Sequence, residues 1–191
     1  VQMRGADQVG VRAGAVQVDF RAVMARVHQA IATVAPHDSV ERYRRLGVDV
    51  QRGRARIVSP WVVEVDGKPI STRSIVIASG AEPLVPPISG IESSGYLTSD
   101  TLWQLTELPP RLLVMGGGPV GCELAQAFAR LGSHVTQVEV MDRLLLREDD
   151  EVSAFVQACL AADGVDVRTG HKAVAIASDD GGHELICEAG G

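Results

Sequence analysis

Apolar residues along this chain recur at two different spacings, and the changes of spacing predict where helices and strands lie. From Phe20 to Val34, apolar side chains recur every three or four residues. That spacing predicts one face of a helix, which Asp19 caps and Pro36 ends. The same helical spacing predicts helices at 120–131 and 150–162, and shorter helices are predicted at 39–46 and from Ser99 or Asp100 to 105.

Short apolar runs bounded by turn residues predict strands between these helices. The run at 74–78 is continuously apolar, which is typical of a strand buried on both faces of a sheet. Asp66-Gly67 and residues 179–182 each separate two such runs and predict hairpins. The predicted strands are 48–50, 55–58, 61–65, 68–70, 74–78, 112–115, 134–139, 165–167, 172–177 and 183–187, with a short extended piece at 16–18.

The order of these elements predicts an α/β chain in two pieces joined near residues 81–110. The first piece combines a helix with small antiparallel strands. The second follows a β-α-β-α-β order and ends in a hairpin, which favours a parallel sheet. Three prolines in 83–90 indicate an extended connection between the two pieces.

Composition narrows the class of function. Of the 191 residues, 46% are hydrophobic and 22% charged, as in a globular protein. The net charge of −6, with dispersed basic residues, argues against a nucleic-acid partner. No apolar run approaches the ~18 residues of a membrane span, and no signal peptide is recognisable. We therefore expect a cytoplasmic protein without a membrane partner.

The three cysteines and five histidines lack the spacing of a metal site or a redox pair. No metal ligand is therefore predicted, and the thiols are expected to be reduced. Cys122 opens a predicted helix, where the helix dipole would lower the pKa of a thiol. The favoured interpretation is that Cys122 is a small residue packed against the sheet.

A glycine-rich turn is the strongest sign of chemistry in the sequence. The pattern G-x-G-x-x-G lies directly between the predicted strand 112–115 and the predicted helix that follows it, where backbone N–H groups can bind a dinucleotide pyrophosphate. Glu139 ends the next predicted strand, 18 residues after the last glycine and close to the ~20 expected for the acid that binds an adenosine ribose. The residues of the turn are Gly116, Gly117, Gly118, Pro119, Val120 and Gly121.

Several motifs together resemble the FAD-dependent pyridine nucleotide–disulfide oxidoreductases, and most of all mercuric reductases and dihydrolipoamide dehydrogenases. The run I-A-S-G-A-E-P at 77–83 resembles the second flavin motif of that family, and 95–103 resembles the segment before its NAD domain. G-G-G-P-V-G-C-E at 116–123 matches its NAD motif with the trailing glutamate. The resemblance covers nearly all of residues 10–178.

The resemblance implies the central part of a flavoprotein with two dinucleotide-binding domains. Residues 1–110 would be a partial FAD-binding domain without its N-terminal βαβ unit. Residues 111–191 would be a Rossmann-like NAD(P)-binding domain without its C-terminal strand. The implied reaction is hydride transfer from NAD(P)H to FAD, and electron transfer onward to a disulfide or metal-ion acceptor.

The resemblance also implies roles for individual residues. The glycine turn and Glu139 would bind NAD, and Glu123 would lie near the contact between flavin and nicotinamide. Ser79, Gly80 and Ala55 would contact FAD. No catalytic residue is assigned, because the redox-active C-x-x-x-x-C of the family is missing here.

Other family features are missing as well: the N-terminal flavin glycine motif and the C-terminal dimerisation domain. With a first residue that is not Met, this leads us to expect an internal fragment that cannot reduce a disulfide by itself. The whole protein would be a homodimer whose partner is a small-molecule or small-protein electron acceptor.

A carboxylate at Glu139 favours NADH, because it accepts hydrogen bonds from a ribose 2′-hydroxyl and repels a 2′-phosphate. Arg143 and Arg147 follow closely and would soften that preference. Two other functions stay open: a non-catalytic NAD(H)-binding module or redox sensor, and a single-Rossmann dehydrogenase that acts directly on substrate.

Overall fold

A computed structural model describes residues 6, 10–12, 14, 16–179 and 182–189, and every structural statement below concerns these residues. The chain divides into two compact units. The first unit comprises Val1–Ala25 and Pro83–Gly191, and the second comprises Arg26–Glu82. The sequence analysis placed a boundary at residue 110 between an FAD-binding and an NAD(P)-binding domain. That division by ligand stays a prediction.

The second unit combines helices with a small antiparallel sheet, as the sequence predicts. Its elements are α1 (Phe20–Val34, which begins in the first unit), α2 (Val40–Arg45), β1 (Ala55–Ser59), β2 (Val62–Val65) and β3 (Lys68–Ser71). The strands lie in the order β1-β2-β3. Asp66 and Gly67, with φ of 47° and 81°, make the predicted tight turn between β2 and β3.

Local signals account for where α1 and α2 begin. Oδ1 of Asp19 accepts a hydrogen bond from the N–H of Ala22 at 3.0 Å, which confirms the predicted cap of α1. The hydroxyl of Ser39 caps α2 by accepting from the N–H of Arg42 at 3.2 Å.

Some predicted elements are wrong. Residues 16–18, 48–50 and 74–78 form no strand, and the helix predicted to end at 105 is only a 3₁₀ turn, Leu102–Gln104. In 74–78, Val76 is 87% and Ile77 is 74% exposed. A strand requires a backbone partner, and no described segment pairs with these residues, so apolar composition alone does not produce one.

The first unit is built around a parallel sheet, which confirms the predicted β-α-β-α-β order. Its strands β4 (Arg111–Met115), β5 (His134–Val138) and β6 (Asp166–Arg168) lie side by side in that order. Helix α3 (Pro119–Leu131) connects β4 to β5, and α4 (Asp150–Ala162) connects β5 to β6. The antiparallel pair β7 (His171–Asp179) and β8 (Gly182–Ala189) follows, and the predicted turn residues 180 and 181 lie outside the described part.

The core of the first unit lies between this sheet and its helices. Ala125 of α3 and Leu144 are fully buried, and Leu160 of α4 is 1% exposed. The ring of Phe128 packs against that of Phe20 with 6.2 Å between centroids. Each large apolar side chain buried in this way contributes about 1.5–3 kcal/mol, which fixes α3 on the sheet and so fixes the turn that precedes it.

Among the described residues, no helix has the length and apolar character needed to cross a lipid bilayer.

Candidate dinucleotide site

The turn between β4 and α3 has the geometry that its sequence predicts. Gly116 has a φ of 108°, which side-chain-bearing residues rarely adopt. Its N–H donates to the carbonyl oxygen of Val138 at 2.8 Å, so the turn begins attached to the end of β5. Helix α3 starts three residues later at Pro119, whose missing N–H removes no intrahelical bond.

The second and third glycines of the motif differ in their surroundings. A Cβ on Gly121 would lie 2.3 Å from the carbonyl oxygen of Gly116, so only glycine allows α3 to pack this closely on the turn. Around Gly118, by contrast, no described heavy atom lies within 4 Å of such a Cβ. Open space at the start of α3 leaves room for an anion beside the unpaired N–H groups of the helix.

Glu139 follows the last residue of β5, and two backbone groups orient its carboxylate. The N–H of Met141 donates to Oε1 at 2.8 Å, and the N–H of Gly117 donates to Oε2. A Cβ on Gly117 would lie 2.9 Å from Oε2 and 2.7 Å from Cδ2 of Leu144. The structure therefore brings the predicted acid and the glycine turn into direct contact, although 22 residues separate Gly117 from Glu139.

Gln137 is a part of this site that the sequence analysis missed. It is fully buried in β5, and its Nε2 donates to the carbonyl oxygen of Gly116 at 2.9 Å. Its Oε1 is buried and has no hydrogen-bond partner among the described residues. The sequence carries no signal that singles it out, because His134 and Thr136 of the same strand are polar as well.

The segment that follows Glu139 packs against the glycine turn. In this β5–α4 loop (139–149), the N–H of Leu145 donates to the carbonyl oxygen of Gly117 at 2.8 Å. The hydroxyl of Ser153 donates to the carbonyl oxygen of Leu144 at 2.6 Å, which attaches the loop to α4 as well. Hydrogen bonds thus fix the position of the loop on both sides.

The surroundings of Cys122 confirm that it is a packed residue. The side chain is 6% exposed, and its Sγ lies 3.5 Å from the carbonyl oxygen of Gly117. Burial raises the pKa of this thiol, and the hydrogen bond from Gln137 opposes that effect. Both the burial and the raised pKa favour the neutral thiol at the start of α3.

Glu123, the next residue of α3, is exposed. It lines a cavity of about 420 Å³ between α3 and α4, together with Cys122, Phe155 and Cys159. Its predicted place near a flavin stays a prediction.

The three residues predicted to contact FAD lie in the second unit. Ala55 opens β1 and pairs with Val65 of β2. Ser79 and Gly80 are exposed residues in a stretch without regular secondary structure, and Gly80 has a φ of 74°. All three are accessible to a ligand, and their role stays a prediction.

The chain is similar in sequence to known reductases and dehydrogenases. The chain is 34% identical over 162 residues to a mercuric reductase of Lysinibacillus sphaericus, with 85% of this chain and 30% of the relative covered. It is 33% identical over 178 residues to a dihydrolipoyl dehydrogenase of Bacillus subtilis (strain 168), with 90% and 38% covered. The chain thus spans about a third of the length of these relatives.

A solved structure shares the fold. The HOCl-induced flavoprotein disulfide reductase RclA from Escherichia coli matches with a TM-score of 0.72 and 28% identity, covering 97% of this chain and 41% of that one. The sequence model described as pyridine nucleotide-disulphide oxidoreductase matches residues 12–191. On these matches, the chain belongs to the pyridine nucleotide–disulphide oxidoreductase family.

Proposed function

We propose that this chain forms the FAD- and NAD-binding region of a flavin-dependent oxidoreductase that takes hydride from NADH and passes electrons to a disulfide or metal-ion acceptor. In this assignment residues 1–110 belong to the FAD-binding domain and residues 111–191 to the NAD-binding domain. The observation that carries the proposal is the contact between the carboxylate of Glu139 and the glycine turn.

The residues present fit a dinucleotide. The free N–H groups at the start of α3 and the open space at Gly118 suit a pyrophosphate. Glu139 is held by two N–H donors, and its remaining lone pairs can accept from the two hydroxyls of an adenosine ribose. When bound, nicotinamide and flavin supply the hydride and electron chemistry, and the protein orients them.

The same geometry favours NADH over NADPH. A 2′-phosphate placed at Glu139 would meet a fixed negative charge, whereas a 2′-hydroxyl would donate a charge-assisted hydrogen bond worth about 1.5–3 kcal/mol. Because Gly117 and Met141 fix both oxygens, the carboxylate cannot turn away from a phosphate without losing these bonds.

Titration of NADH and NADPH into the full-length protein tests the cofactor assignment. We expect tighter binding of NADH, and a loss of about tenfold or more in NADH affinity in Glu139→Ala. Asp142→Ala is the matched control, because it removes an exposed carboxylate from the same loop. Equal affinities of the unmutated protein for the two cofactors would refute the assignment.

The flavin half of the proposal rests on Ser79, Gly80 and Ala55, with Glu123 placed near the flavin–nicotinamide contact. The absorbance spectrum of the purified natural protein tests it directly. A flavin spectrum that NADH bleaches is the expected result. A protein that binds NADH but carries no flavin would instead be an NAD(H)-binding module.

In this proposal the electron acceptor is a disulfide or a soft metal ion. NADH oxidation measured with mercuric ion, lipoamide and glutathione disulfide in turn identifies it. We expect one of these acceptors to support turnover by the natural homodimer, and turnover with none would exclude this part of the proposal.

A further inference from the structure

Arg143 is bonded through both terminal nitrogens of its guanidinium. Nη1 donates to the carbonyl oxygen of Glu148 at 2.9 Å, and Nη2 donates to that of Leu146 at 3.0 Å. Nη1 also lies 2.8 Å from Oδ1 of Asp150, the first residue of α4. A guanidinium presents its donors in a rigid planar fork, so one side chain connects three points of the β5–α4 loop and its helix.

The connected stretch is the part of the loop that faces the glycine turn. Leu144 is fully buried against Gly117, and the N–H of Leu145 donates to the carbonyl oxygen of Gly117. Leu145 has a φ of 49°, a conformation that residues other than glycine rarely adopt. Because leucine disfavours this backbone conformation, surrounding hydrogen bonds must maintain it. The two carbonyl groups that Arg143 binds, those of Leu146 and Glu148, follow Leu145 closely.

The charge of Arg143 is already compensated. Its side chain is 28% exposed, and the carboxylate of Asp150 lies against it. To bind a 2′-phosphate, Arg143 would have to use the same Nη1 and Nη2 donors that already contact the oxygens of Leu146, Glu148 and Asp150. Arg147 in the same loop is exposed and makes none of the side-chain bonds found in the described part of the chain.

We propose that Arg143 is a positioning residue of the dinucleotide site. By fixing the β5–α4 loop it holds Leu144 and Glu139 against Gly117, and it does not bind a 2′-phosphate. The inference rests on the proposed function, because it assigns a residue that shapes the ribose subsite and thereby the preference for NADH.

The test is titration of NADH and NADPH into the full-length protein and three variants. Arg143→Ala and Arg143→Lys should each weaken NADH binding about tenfold, since an ammonium carries the charge but not the fork. The ratio of NADPH to NADH dissociation constants should fall, because Glu139 is no longer held in place. Arg147→Ala, with the same change of charge, should alter the affinity for NADH less than about twofold.

Three outcomes would overturn the inference. They are NADH binding by Arg143→Ala equal to that of the unmutated protein, selective loss of NADPH binding in that variant, and full rescue by lysine. If the alanine variant does not fold, the lysine variant, which keeps the charge and the aliphatic stem, decides alone. Failure of the unmutated protein to bind either cofactor would instead refute the proposed function.

Discussion

Replacing Gly121 by alanine should lower the stability of the fold itself, because the added methyl group meets protein atoms and not a ligand. The added Cβ would lie 2.3 Å from the carbonyl oxygen of Gly116 and 3.3 Å from Nε2 of Gln137. Ordinary contacts begin near 3.4 Å, so the helix and the turn must separate by roughly 1 Å. The obstacle is backbone and not the mobile end of a side chain, so no change of rotamer relieves the clash.

The expected cost follows from these contacts. Forcing an extra methyl group into a close-packed position costs about 1–3 kcal/mol. The separation also strains the hydrogen bond from Gln137 to Gly116, which contributes about 1 kcal/mol more because the amide is fully buried. We therefore expect Gly121→Ala to lower the free energy of unfolding by about 2–4 kcal/mol.

Gly118→Ala is the matched control for this substitution. No described heavy atom lies within 4 Å of the new Cβ, and the φ of −75° is accessible to alanine. Stability should change by less than about 1 kcal/mol, while NADH binding falls because the methyl group occupies the space proposed for the pyrophosphate.

Urea denaturation followed by circular dichroism, together with NADH titration, measures both effects in the full-length protein. A Gly121→Ala variant as stable as the unmutated protein would contradict the expected clash with Gly116. Normal NADH binding by Gly118→Ala would mean that the open space at Gly118 is not the pyrophosphate site.

Two further predictions follow from the side-chain environments. Iodoacetamide should modify Cys159 of the folded protein faster than Cys122, because burial raises the pKa of Cys122 and only a thiolate reacts. Mass spectrometry of the labelled peptides measures the two rates, and faster labelling of Cys122 would contradict this prediction. Asp163→Asn should cost about 0.5–1.5 kcal/mol at neutral pH, because Arg130 donates to this carboxylate at 3.0 Å and lowers its pKa. That stabilisation is present above the ordinary aspartate pKa and is lost as the pH falls through the lowered pKa of Asp163. The unmutated protein and Asp163→Asn should therefore become equally stable in acid. The same difference in stability at neutral and acid pH would exclude the ion pair as its source.

Local signals in the sequence determined most of the secondary structure. Helix α4 has the predicted bounds, and α1 begins at the predicted cap, because apolar spacing and capping act within a few residues. The position of the glycine turn was also determined locally, since Gly116 requires a conformation that few other residues adopt. The distance of Glu139 from the glycine turn along the chain made it the candidate ribose ligand, and that role stays a prediction.

Only the tertiary structure decided which groups meet. The hydrogen bond from Gln137 to Gly116 joins residues 21 positions apart, and the burial of Cys122 depends on packing between elements. The partners of Arg143 are only three to seven residues away, but the path of the loop decides which of its oxygens face the guanidinium. Residues 74–78 were wrongly predicted for the same reason. Their apolar composition is typical of a buried strand, but no described strand pairs with them. Composition sets which conformations are favourable, but hydrogen bonding and burial depend on partners that only the folded chain brings together.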